Sequence, residues 1–135
     1  MPTLHEALRQ AADQAAEAMS LPLGWEGEVF TVPGRPHLRG RIVYDATRPA
    51  SLGPHAWTRI DGAIELTVVV LAGAGADAQA VKTGRRLAAL FPHGRGIAFG
   101  DDDEAVCAAP HVSEAVTRQG RLSVTVRVPF YAIES

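Results

Sequence analysis

One cysteine, little aromatic content and no long apolar run mark this 135-residue sequence before any motif does. The single Cys107 cannot pair within the chain, so no internal disulfide framework carries the fold, and no second thiol is available for a zinc site. No apolar stretch approaches the ~20 residues that span a bilayer. The first residues lack the basic, apolar and small-residue order of a signal peptide, so we expect a protein of a bacterial-type cytoplasm or of a particle assembled there. Strong charge of one sign is also missing: 13 Lys plus Arg face 15 Asp plus Glu, a formal net charge of -2. That balance disfavours a broad electrostatic grip on duplex nucleic acid. Arginine supplies every basic residue except Lys82, a bias that GC-rich coding explains more simply than a selected guanidinium surface.

What is present is the balance of one globular domain over residues 1–135, with 47% hydrophobic and 21% charged residues. At this length folding buries roughly two thirds of the unfolded chain's surface, enough for a core without a metal or a disulfide. Thr3-Leu-His-Glu6 fits a capping box, and Leu4, Ala7, Leu8, Ala11, Ala15 and Met19 follow at helical spacing. Ser20-Leu-Pro22 and Gly24 end that helix. Trp25 to Val32 reads as a short edge strand, broken by Pro33-Gly34-Arg35-Pro36, and His37 to Asp45 reads as a second strand. Ala46 to Pro54 is expected as a surface loop.

Trp57 to Leu71 alternates Ile60, Ile64, Leu66, Val68 and Val70 with Arg59, Asp61, Glu65 and Thr67, the pattern of a half-buried strand. Its length predicts a bend near Gly62 or an arm that leaves the body and needs a partner. After the Gly73-Ala-Gly75-Ala turn, Asp77 is expected to cap a second helix, with Ala80, Val81, Gly84, Leu87, Ala88 and Phe91 as its stripe. Asp101 to Glu104 is expected in a polar loop, then a weak strand around Val106, Ala108 and Val112. An Arg118-Gln-Gly120 turn leads to an alternating strand through Leu122, Val124, Val126, Val128 and Phe130. The resulting expectation is an α+β two-layer sandwich in the order α-β-β-β-α-β-β. A mostly antiparallel sheet of four to five strands carries both helices on one face.

Chemistry-bearing patterns are weak. Gly73-Ala-Gly75-Ala-Asp77-Ala78 matches G-x-G-x-x-A, but the preceding strand is not buried on both faces and Asp77 would set a carboxylate where a pyrophosphate must sit. The only lysine lies inside the second helix, so no phosphate-binding Walker pattern exists. Asp101, Asp102, Asp103 and Glu104 lack the interleaving and glycine turn of a calcium loop. The five histidines are scattered, and nothing near Cys107 in sequence lowers its pKa. We therefore expect no enzyme, no catalytic or metal site and no cofactor. Arg35, Arg39, Arg41 and Arg48 form the one basic cluster. Pro49, Leu52, Pro54 and Trp57 place apolar groups on the expected loop, beside Arg59, in the composition of an interface anchor; a core Trp under the loop is the equal alternative.

The order of features resembles the small tail terminator, or tail-completion, proteins of long-tailed bacteriophages and related gene transfer agents. The resemblance covers nearly the whole chain. It is carried by the capped helix, the Trp25-to-Pro36 segment with Phe30-Thr-Val-Pro33, and the loop into Arg59-Ile-Asp-Gly62. Ile64-Glu-Leu-Thr-Val-Val-Val70, Ala72-Gly-Ala-Gly75, Leu90-Phe-Pro-His-Gly94 and the closing Val128-Pro-Phe-Tyr131 complete it. Leu71-Ala72-Gly73 departs from the Pro-Ala-Gly turn that often follows the long strand in that family.

The resemblance implies a structural virion protein: a homo-hexameric ring that caps the tail tube at its head-proximal end, stops tube polymerisation and docks head-completion or neck proteins. DNA would pass through its lumen without sequence-specific binding. Assembly in the host cytoplasm and a place in the phage tail follow from the same resemblance, with no membrane role. Within that frame Arg48, Pro49, Leu52, Trp57 and Arg59 are interface candidates, and Asp101, Asp102, Asp103 and Glu104 are lumen candidates. The alternatives are another head-to-tail connector or tube component, or a small nucleotide-binding domain using the Gly73 to Asp77 turn.

Overall fold

The Thr3 hydroxyl accepts from the Glu6 backbone amide at 3.2 Å, so the first helix, α1 (Leu4–Ala18), begins where its capping residue demands. A computed structural model describes residues 2–49 and 57–134. Seven apolar residues of α1 are buried, among them Ala12 and Ala16 in addition to the expected stripe, and Ser20 turns the chain away at a φ of +56°. Strands β1 (Leu23–Trp25) and β2 (His37–Pro49) then pair in parallel, joined by an irregular crossover over 26–36. The expected edge strand is thus shorter and earlier than its sequence suggests.

Strand β3 (Thr58–Leu71) leads into α2 (Ala76–Ala88), and β4 (Gly96–Phe99), β5 (Asp103–Cys107), β6 (His111–Val112), β7 (Val116–Arg118) and β8 (Arg121–Glu134) complete the chain. The sheet runs β1-β2-β3-β8-β5-β4, with β6 and β7 also on β8. Among the described residues eight strands replace the four or five expected, because the short pieces β4 to β7 carry too few residues to show a period of two. All pairs but β1 with β2 are antiparallel. Both helices pack on one face, where Leu38, Ile64, Leu66, Val68, Val124, Val126 and Val128 are fully buried. Each such side chain contributes on the order of 1.5–3 kcal/mol.

Long β3 is not a free arm. It pairs with β8 along its whole length and with β2 from Thr58 to Val69, so its partners lie within the chain. The irregularity foreseen near Gly62 falls instead on β2, as a register shift between Tyr44 and Ala46 opposite Gly62 and Asp61. A Cβ at Gly62 would run into the Val43 carbonyl, so the close strand approach there requires glycine. The segment expected as a loop from Ala46 is strand through Pro49, because β3 extends far enough to keep pairing with it.

Two further expectations change. Gly75, at a φ of +76°, is the residue that precedes α2, and no side chain caps it; Asp77 lies in the first helical turn, where its charge favours the helix dipole. Asp103 and Glu104 belong to β5, so only Gly100 to Asp102 form the turn of a β4–β5 hairpin. The Arg118-Gln-Gly120 turn is borne out, with Gln119 and Gly120 both at positive φ as a two-residue hairpin needs.

Candidate functional site

The sheet face away from the helices is open and polar. Its centre is one row across three strands: Arg41 on β2 stands opposite Glu65 on β3, which stands opposite Arg127 on β8. The Glu65 carboxylate accepts from Arg41 Nε and from an Arg127 guanidinium nitrogen, each at 2.6 Å, and Arg127 reaches Asp45 at 3.1 Å. The two guanidinium groups hold the Glu65 carboxyl below its usual value against the opposing effect of burial. One row on, the Thr67 and Thr125 hydroxyls lie 3.1 Å apart. Periodicity assigns Glu65 and Arg127 to polar strand faces, but nothing local announces that residues 62 apart in sequence form a pair.

The row Pro49, Thr58 and Glu134 marks one end of this sheet, and Leu71 with Arg121 marks the other. Most of the sequence-derived candidates gather at the first end. Trp57 is 53% exposed, so its indole is not a core group under the loop. Arg59 is held by Asp61, with its guanidinium 4.6 Å from the Tyr131 ring centroid. Arg48 and Pro49 lie on the β2 backbone, whereas Leu52 and Pro54 fall outside the described residues. Asp101, Asp102 and Asp103 share a cavity of about 520 Å³ with Pro2, Thr3 and Glu134. Glu104 projects from β5 over Gly96. The structure thus brings the acidic hairpin and the Trp57 segment to one end of the molecule.

Two members of the basic cluster have partners within the chain. Arg41 is engaged by Glu65, and Arg39 lies 5.1 Å over the Phe30 ring. Among the described residues no group of His, Cys, Asp and Glu is placed to hold a metal ion. Cys107 is buried, and burial raises its thiol pKa, the opposite of nucleophile activation. No helix among the described residues is long and apolar enough to cross a membrane. The Gly73 to Gly75 turn is exposed and followed by the Asp77 carboxylate, an unfavourable setting for a pyrophosphate.

Comparison with known proteins supplies the context for this open face and crowded end. No curated protein matches the sequence. A solved structure whose name states no activity is 22% identical, covers 97% of this chain and 96% of its own, and superposes with a TM-score of 0.71, a likeness of fold. The model of the family described as phage tail terminator protein matches residues 3–130. With that match running from the cap of α1 to Phe130 in β8, the chain belongs to the phage tail terminator family.

Proposed function

We propose that six copies of this chain form a ring that caps the head-proximal end of the tail tube, ends polymerisation of the tube protein and gives head-completion or neck proteins a surface to dock on. The family match over residues 3–130 carries this reading. The mechanism is geometric and needs neither catalysis nor cofactor. A heterologous interface that closes at sixfold rotation makes a ring, and a ring with one tube-like face and one unlike face stops growth. Assembly occurs in the host cytoplasm, and the finished ring stays in the virion tail.

Exposed Trp57 and its neighbours in sequence Arg48, Pro49, Leu52 and Arg59 form the axial contact, since a large aromatic and a guanidinium close in sequence have the composition of an interface anchor. Of the acidic candidates Asp101, Asp102, Asp103 and Glu104, the β5 residues Asp103 and Glu104 face the lumen, where they repel DNA phosphates and let the duplex pass without sequence-specific contact. Negative-stain images of the purified protein mixed with tail tubes test the reading. Rings seated on one tube end, with no further elongation on adding tube protein, are the expected result. Rings that extend the tube would identify a tube component, and rings that bind only head-completion proteins a neck component.

A further inference from the structure

The outward face of α2 carries Lys82, Arg85 and Arg86, all exposed and none in an ion pair among the described residues. Around them Ala78, Val81 and Ala89 line a groove of about 470 Å³. Cations in the last turn complement the helix dipole, which accounts for Arg85 and Arg86 but not for the apolar floor between them. At the Glu134 end of the sheet the β4–β5 hairpin turns tightly through Gly100, at a φ of +58°, and presents Asp101 and Asp102, exposed and likewise without an ion pair among the described residues. Gly84 packs α2 onto Val124 and Val126, on the Arg121 side of the sheet, while β5 starts on the Glu134 side.

Resting on the ring reading, we propose that the α2 groove receives the Gly100 to Asp102 hairpin tip of a second copy. Opposite charge selects the occupant: two adjacent carboxylates on a narrow turn meet three cations around an apolar floor. Because tip and groove are separate surfaces of one subunit, each copy offers its tip to one neighbour and its groove to the other. Such a contact is heterologous and closes into a ring if the rotation permits. Glu104 lies over Gly96, away from the tip, and stays available to the lumen.

The test is the mass of the particle by light scattering across a concentration series, for wild type and two charge-reversed variants. One carries Lys82→Glu, Arg85→Glu and Arg86→Glu; the other carries Asp101→Lys and Asp102→Lys. Wild type is expected as a sixfold particle whose assembly midpoint rises at least about tenfold between low and high salt. Each variant alone is expected to melt cooperatively and remain a monomer. An equimolar mixture regains the ring, because each reversed tip then finds a reversed groove and an even-numbered ring can alternate. Variants that assemble at the wild-type midpoint, or a mixture that does not recover, would overturn this contact and leave the ring reading standing. A wild type that stays monomeric with and without tail tubes would overturn both. Should the helix variant fail to fold, the hairpin variant alone decides, since its two residues lie in an exposed turn.

Discussion

Glu65 offers the sharpest physical test of the fold, because one carboxylate fastens three strands. Replacing it by Gln keeps the shape but removes the charge between Arg41 and Arg127, whose guanidinium groups contact it at 2.6 Å. The Glu65 side chain is only 14% exposed, whereas Arg41 is 55% and Arg127 37% exposed, so water screens one side of each pair. Two charge-assisted hydrogen bonds at such a site are together worth about 1–2 kcal/mol after that screening. For a domain of this size the loss corresponds to a Tm drop of roughly 3–7 °C at neutral pH. The sign with pH follows from the depressed carboxyl of Glu65. Its stabilisation is full above the unfolded value of about 4.3 and is lost as pH falls through the lower folded value. Thermal unfolding of wild type and Glu65→Gln should therefore differ at pH 7 and converge in acid. Equal Tm values at pH 7, or a gap that persists unchanged in acid, would refute the reasoning.

Other consequences are more local. Gly84→Val should lower stability by about 1–3 kcal/mol in urea unfolding, because a Cβ there already meets Val124 at 3.1 Å and Val112 at 3.2 Å. Cys107 should react with a thiol reagent only on unfolding, its thiol being buried and its pKa raised; rapid labelling of the native protein would contradict that placement. Trp57→Ala should leave the melting curve within about 1 °C of wild type, as an exposed side chain contributes little to the core, while weakening attachment to tail tubes in a sedimentation assay. Replacing Asp101, Asp102, Asp103 and Glu104 together by Ala should leave circular dichroism and cooperative unfolding intact, since adjacent carboxylates repel one another unless solvated.

The long elements were legible in the sequence because their periods are sustained. α1, α2, β3 and β8 each run for 13 to 15 residues, enough for the apolar stripe to name both element and face. β6 and β7 have two and three residues, and β4 has four, so no window distinguishes them from loop; their pairing with β8 or β5 makes them strands. The extension of β2 to Pro49 has the same cause, a partner strand overriding local Pro and Ala signals. Among candidate site residues, the exposure of Trp57 removes the core alternative that composition left open. Arg59 falls on the strand its alternation predicts, whereas its pairing with Asp61, two positions along the same face, depends on side-chain geometry that a sequence does not display. The Arg41–Glu65–Arg127 row was invisible because it depends on the register of two strand pairs at once.

Strand β8 has an implication for how the protein is made. It joins β3 on one side and β7, β6 and β5 in succession on the other, so residues 121–134 close most of the sheet. A nascent chain that has emerged only through residue 120 holds β3 with one flank open and its apolar row, Ile64, Leu66, Val68 and Val70, without the matching row of β8. Such contacts between distant segments must wait for the later one, and they reward the chain only after the loop entropy has been met. Completion of the sheet is thereby deferred until residues 121–134 are available to pair, and a chain cut before them leaves that apolar row uncovered by its partner strand.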